Sequence, residues 1–319
     1  MANTNYRHTN KFHDNFTNNF HDSFIGLKRR ANQLSTQVKG KLKREILHLP
    51  IVNVVAQNIY QQKLAKHQAN LPSISQNHQK LIDTVDIQGV NMTNLDSLAI
   101  PKTEELVDKA NWLIVNSPEF HKTDITVGIR GHILRDFPEV LLWGLDHQLL
   151  DLAENYIGLP IYYLGAQVKR ELANGKSSNV RKWHIDTEDY RMLKIIIYLN
   201  DVDEFGGPFQ CLSKQETAFA RKSLGYKSGL IDDDLMASHV APEKWITCTG
   251  SSHTATFIDT SNIFHRAKPP TKTERKSITF HYISQYPIHL RSKNLSISTK
   301  TDNLCKNLTE RQLKCIFPL

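Results

Sequence analysis

RKWHIDTEDYRMLKIIIYLN, residues 181–200, decides how this chain is read. It sets a histidine and an aspartate two apart, His184 and Asp186, ahead of an apolar run, 192–199, that closes on Asn200 and Asp201. The run is short and isoleucine-rich, which is a strand signal. Residues i and i+2 of an extended chain project to the same side, so a His-x-Asp pair can reach one ion. The tripeptide alone is weak: 15 His and 19 Asp in 319 residues predict about one such pair by chance, and one occurs. Its meaning depends on partners elsewhere in the chain.

Working outward, IYYLGAQVKREL (161–172), HTATFID (253–259), NIFHRA (262–267) and RKSITFHYIS (275–284) are β-branched or aromatic runs separated by Gly, Pro, Asn and Asp. Together they predict an antiparallel β unit of sandwich or barrel type over about 160–285. Helical patterns come before it: HQKLIDTVDIQGV (78–90), PKTEELVDKANWLIV (101–115) and LLWGLDHQLLDLAENYIG (141–158), the last stopped by Gly158, Leu159 and Pro160. Helices first and strands after give an α+β fold with helices packed outside a β core.

The β half supplies the missing partners. Two imidazoles and one carboxylate on one face of an octahedral Fe(II) form the facial triad of non-haem iron oxygenases. A strand ending at Asp259, a turn over 260–262 and a following strand deliver His265 as the second imidazole. His253 and His281 compete for that role, but the first precedes the strand that must come before the ligand and the second follows the start of the next strand. Arg275 opens that next strand ten residues after His265, where a guanidinium could grip a carboxylate bidentately, and Ser277 shares its face. Gln167 and Lys169 are same-side neighbours on another strand, while Trp183 and Tyr198 either wall the pocket or pack the β core.

With those residues in place, WHIDTEDYRMLKIIIYLNDVDEFGGPF (183–209) and FIDTSNIFHRAKPPTKTERKSITFHY (257–282) resemble the Fe(II)/2-oxoglutarate-dependent dioxygenases, and most of all their phytanoyl-CoA dioxygenase-like branch. LAENYIGLPIYYLGAQV (152–168) is similar to the segment before the core in that branch, and the resemblance covers about 125–285. It implies a double-stranded β-helix, or jelly-roll, core with flanking helices. It further implies His184, Asp186 and His265 as metal ligands, Arg275 as the anchor of 2-oxoglutarate and Ser277 as a second contact to it; strand parity adds Gln167 and Lys169, and the pocket-wall reading adds Tyr198, as candidate contacts to that co-substrate. Fe(II), 2-oxoglutarate and dioxygen are the implied cofactor and co-substrates, and hydroxylation of a C–H bond with release of succinate and CO2 the implied reaction. A glycine or alanine in place of Asp186 would leave room for a halide, so the carboxylate favours hydroxylation, or a related desaturation or cyclisation. After Gly207 the family often carries Pro-Gly-Ser-His; here QCLSKQETAFARKSLGYKSGLIDDDLMASH (210–239) stands instead, so substrate identity does not carry over.

The rest of the chain frames this domain. Residues 1–75 read as a disordered, then basic helical, N-terminal segment, 76–290 as the dioxygenase domain and 291–319 as a C-terminal tail. Nine Lys or Arg stand against one acid, Glu45, within 24–68, so the whole formal charge of +8 sits there. That segment is either a solvated helical face or a docking surface for an anionic membrane or acidic partner. Nucleic acid is disfavoured, because no aromatics interleave with Lys or Arg in the β half. No apolar run is long enough to span a bilayer and no secretory signal opens the chain, so a cytoplasmic location is expected. Cys211, Cys248, Cys305 and Cys315 form no C-x-x-C pair and fit reduced thiols. A small-molecule or lipid-like substrate is the leading expectation. The alternative is a catalytically silent jelly-roll module tethered to a membrane or nucleic acid by its basic helices.

Overall fold

The computed structural model describes residues 50–116, 120–123, 125–129, 137–288 and 303–317. Residues 1–49 of the N-terminal segment expected over 1–75 lie outside them. The chain divides into two units, Met1–Gln57 and Asn58–Leu319. Of the first, the described part is the opening of helix α1 (Pro50–His67). No helix among the described residues is long and apolar enough to cross a membrane.

The division at 57/58 departs from the boundary expected near 75. Residues 58–67 belong to the larger unit because their side chains pack there: the Tyr60 ring lies 4.5 Å from that of Tyr190, and His67 Nε2 is 2.9 Å from Glu154 Oε1. The expected C-terminal tail likewise ends in a packed helix, α8 (Glu310–Ile316), with Cys315 and Ile316 buried. Arg311 holds it to Asp151 and Glu154.

Between these ends come α2 (Gln76–Gln88), β1 (Val90–Asn94), α3 (Thr103–Asn116), β2 (Phe120–Lys122), β3 (Thr126–Ile129), α4 (Pro138–Trp143) and α5 (His147–Ile157). The single helical pattern over 141–158 is thus two helices. The break falls at Gly144, where a Cβ would sit 2.4 Å from the Tyr163 hydroxyl, and Asp146 caps the second helix by accepting from Gln148 N. Gly158, with φ at 76°, ends it as the sequence predicts.

The strands that follow are β4 (Ile161–Glu171), β5 (Leu193–Tyr198), β6 (Phe209–Cys211), β7 (Ile246–Cys248), β8 (Thr254–Ile258), β9 (His265–Ala267) and β10 (Arg275–Ser284). They form two antiparallel sheets, one in the order β1-β8-β5-β10-β4-β3-β2 and a smaller one in the order β7-β6-β9. A bridge from His184 to His265 adds the 183–184 segment beside β9. From β4 onward the chain therefore alternates between sheets: β4 in the large one, 183–184 in the small, β5 in the large, β6 and β7 in the small, β8 in the large, β9 in the small, β10 in the large. Between β6 and β7 the expected insertion folds as α6 (Lys214–Ser223) and α7 (Asp233–Ala237), and Ile231 pairs with Trp183 on the outer side of the 183–184 segment.

Strand parity sorts the large sheet into two unlike faces. Ile195, Ile197, Ile278, Phe280, Phe257 and Val168 share one, fully buried in the core that includes α3, α4 and α5. Each contributes about 1.5–3 kcal/mol by leaving water. The pairing Arg275–Glu171, Ser277–Lys169–Tyr198, Thr279–Gln167–Ile196, His281–Gly165 and His281–Lys194 puts the other set on the opposite face, turned to the gap between the sheets. That inner face holds two lysines, an arginine, a glutamate and a histidine. Polar groups so placed cost folding energy unless they are paired or bind something.

Candidate active site

His184 and Asp186 stand at the edge of the small sheet and His265 opens β9, so the backbone bridge between the two histidines sets their spacing. His184, Asp186 and His265 each offer a ligand atom within 4.8 Å of the others. His184 Nε2 is 3.9 Å from Asp186 Oδ1, and His265 Nε2 is 3.6 Å from Asp186 Oδ2. Both imidazoles are held from behind: His184 Nδ1 is 2.8 Å from the Lys182 carbonyl and His265 Nδ1 3.1 Å from that of Ile263. A carbonyl only accepts, so each Nδ1 donates, and each Nε2 presents its lone pair to the common centre.

The electrostatics keep the set in ligand form. Burial, aided by His184, pushes the His265 imidazole down to about 3, so it is neutral at any ordinary pH. Burial alone would raise the Asp186 carboxyl, but Lys194, then His265 and His184, outweigh it and hold it well below the usual carboxylate range. Two imidazoles and a carboxylate grouped in this way suit a divalent metal of the Fe(II) kind. His281 lies in the gap but not in this cluster, and burial together with Lys194 pushes it down to about 3. His253 is on the outside, 3.8 Å from Asp96.

Arg275 and Ser277 define a second centre on β10. Arg275 is 3% exposed; its Nη1 donates to the Gly207 carbonyl, and its Nη2 is 3.8 Å from Glu171 Oε1. Its Nε and the Ser277 hydroxyl are both buried and have no hydrogen-bond partner. Unsatisfied donors of this kind are costly, and a guanidinium Nε with a hydroxyl two residues along the same strand face suits a carboxylate. The remaining predicted contacts divide. Gln167 and Lys169 face the gap from β4, with Lys169 Nζ 3.0 Å from Glu171 Oε1. Tyr198 spends its hydroxyl on the backbone, donating to the Cys248 carbonyl at 2.7 Å and accepting from Phe209 N at 3.0 Å, so it straps the two sheets together. Trp183 turns away from the gap into the cluster with Ile231, Met236 and Phe264.

Gly207 explains the Gly-Gly-Pro turn. Its φ is 69°, and a Cβ there would sit 2.5 Å from Pro270 Cγ and 2.6 Å from the Lys268 carbonyl. Gly207→Ala is expected to cost about 3 kcal/mol of stability, from the strained backbone plus the clash, measured as a lowered urea midpoint.

Sequence reading missed three charged groups that frame these centres: Glu171, Arg181 and Lys194. Lys194 Nζ donates to Asp186 Oδ2 at 2.5 Å. Arg181 is fully buried, with Nη2 3.3 Å from Glu171 Oε2 and further bonds to the carbonyls of Ile125, Leu172 and Lys176. The signal for Lys194 and Glu171 was present as parity, since Lys194 shares a face with Tyr198 and Glu171 with Lys169.

The chain matches no family model, and no curated protein matches it. Solved structures similar to it include HygX from Streptomyces hygroscopicus with nickel, 2-oxoglutarate and hygromycin B bound, at 12% identity over 67% of this chain and 88% of that one, TM-score 0.47. EctD from S. alaskensis with bound Fe is similar at 15% identity over 71% and 82%, TM-score 0.47. SnoN, a non-haem alpha-ketoglutarate-dependent epimerase from nogalamycin biosynthesis, is similar at 13% identity over 66% and 82%, TM-score 0.41. What this chain can do chemically follows from its own side chains.

Proposed function

We propose that the chain is an Fe(II)- and 2-oxoglutarate-dependent oxygenase acting on a small molecule, with a double-stranded β-helix as its core. The observation that carries this reading is the coexistence of two centres in one gap: a His184–Asp186–His265 cluster with both Nε2 atoms aimed inward, and buried unsatisfied donors on Arg275 and Ser277. Either alone has simpler explanations; together they match a metal and a dicarboxylate held at once. The alternation of strands between two sheets supports the β-helix reading.

Iron with bound 2-oxoglutarate would supply the means to activate dioxygen, which is the oxidant: one oxygen atom would go into succinate as CO2 leaves, and the other into the substrate C–H bond. The chain's residues do the rest. His184, Asp186 and His265 would hold the metal through one donor atom each. Arg275 neutralises the distal carboxylate and, with Ser277, fixes its direction; Lys169 borders the same subsite. Asp186 fills the ligand position that a halide would need, which supports hydroxylation within this class. The phytanoyl-CoA dioxygenase-like branch remains our assignment from residues 183–209 and 257–282.

Anaerobic titration of metal-free protein with Fe(II) and 2-oxoglutarate is expected to give the visible charge-transfer band of the chelate. Arg275→Met should need about 100-fold more 2-oxoglutarate for the same band, the equivalent of about 2.7 kcal/mol for a charge-assisted pair. A folded wild-type protein without the band would overturn the proposal.

A further inference from the structure

The gap holds more positive charge than the proposed metal and co-substrate require. A divalent metal, the Asp186 carboxylate, the Arg275 guanidinium and a dianionic co-substrate sum to zero. Glu171 and Arg181 cancel each other. Two lysines of the inner face, Lys169 and Lys194, are left over. Lys169 keeps a share of Glu171 at 3.0 Å, whereas Asp186 is the one ion-pair or hydrogen-bond partner of Lys194 among the described residues.

That partnership cannot survive metal binding unchanged. Asp186 Oδ2, which accepts from Lys194 at 2.5 Å, is also the carboxylate oxygen 3.6 Å from His265 Nε2. A cation seated among the three ligands takes the charge on which Lys194 depends and repels the ammonium. The Lys194 side chain is only 16% exposed, so water replaces the lost partner poorly, and an ammonium in that position needs another anion. Arg275 does not share the same one. On β10, Lys194 pairs with His281, six residues from Arg275, which is about 20 Å between backbone positions at strand spacing. The two cations thus start from opposite ends of the inner face.

We propose that Lys194 is the anchor for an anionic group, a carboxylate or phosphate, on the primary substrate, gripped at the end of the gap opposite Arg275 with His281 beside it as a hydrogen-bonding neighbour. The inference rests on reading the site as a metal and 2-oxoglutarate centre, and it narrows the substrate to an acidic small molecule. Burial and the neighbouring ammonium keep the His281 imidazole uncharged, so it adds no charge of its own and leaves the selection for an anion to Lys194.

The test uses protein loaded anaerobically with Fe(II) and 2-oxoglutarate, titrated with hexanoate, hexyl phosphate and the neutral hexanamide while the charge-transfer band and Tm are followed. The acids are expected to shift the band and raise Tm where the amide does not, and whichever acid acts at lower concentration identifies the anion. Lys194→Met should weaken the acid at least tenfold and Lys194→Arg by less than about threefold, with the 2-oxoglutarate requirement of both within threefold of wild type. Mn(II) should bind Lys194→Met at least as tightly as wild type, which separates a lost anchor from a lost fold. No discrimination between acid and amide in wild type, or an acid effect that survives in Lys194→Met, overturns the inference. So does a Lys194→Met protein that loses 2-oxoglutarate as readily as the acid, because the lysine would then serve the co-substrate. A wild-type protein that forms no band overturns the metal reading itself, and this inference with it.

Discussion

His265→Ala is expected to lower the affinity for Fe(II) or Mn(II) on the order of a thousandfold or more while leaving the protein folded. The argument rests on geometry. His265 is 4% exposed, its ring is oriented by the Ile263 carbonyl, and its Nε2 is one of three donors whose spacing the chain holds before any metal arrives. Removing one donor of three leaves a His-Asp pair two residues apart, an arrangement common by chance and weak as a chelator. The fold should tolerate the change because the imidazole is uncharged and its ring supplies only packing: about 2 kcal/mol for the cavity, comparable with other large-to-small buried substitutions. Equilibrium dialysis against Mn(II), with near-UV circular dichroism as the check on folding, reads both quantities. Metal affinity kept within tenfold of wild type would show that His281 or another group is the true third ligand.

The residues in that prediction were legible in the sequence for a physical reason. A strand has a period of two, so His184 with Asp186, and Arg275 with Ser277, announce shared faces without any tertiary information. The distance from His265 to Arg275 is a loop length, and loop lengths are local. What was not legible depends on contacts between segments far apart in the chain. Arg181 reaches Glu171, Ile125 and Leu172 only because 3-10 residues 179–181 return beneath β4. The basic, polar composition of 1–75 hid the fact that Tyr60 packs on Tyr190 and Leu64 lies against Gly158; composition reports how a segment is solvated, not what its neighbours pack against. Lys194 is the instructive case. Its parity was readable, but its pairing with Asp186, eight residues away around a turn, was not, and that pairing is what singles it out from the other lysines.

Glu171→Gln is expected to destabilise the protein by about 3–5 kcal/mol and, at the same time, to tighten 2-oxoglutarate binding. Glu171 is fully buried and serves three cations: Lys169 Nζ at 3.0 Å, Arg181 Nη2 at 3.3 Å and Arg275 Nη2 at 3.8 Å. Burial alone would raise its carboxyl, but Lys169 and Arg275, with Arg181, overcome this and hold it down at about 2. A folded-state value below the ordinary one of about 4.5 means that the unfolded chain binds the proton more readily. The stabilisation is therefore complete above about pH 4.5 and is lost as the pH falls through about 2, and the shift corresponds to roughly 3 kcal/mol. Glutamine removes the charge at every pH, leaving Arg181 buried with carbonyls alone, which is where the larger cost of a broken buried pair arises. Urea unfolding of the variant should show the loss at pH 7 and a flatter dependence between pH 5 and 3 than wild type. The second effect has the opposite sign because, under the proposed function, Glu171 would compete with 2-oxoglutarate for Arg275: without it, the guanidinium and Lys169 would meet the incoming carboxylate unopposed, and the anaerobic band should saturate at lower 2-oxoglutarate. Stability unchanged within 1 kcal/mol would mean that the carboxylate is solvated rather than buried among its three cations. Weaker 2-oxoglutarate binding in a folded variant would mean that Glu171 positions Arg275 for the ligand more than it competes with it.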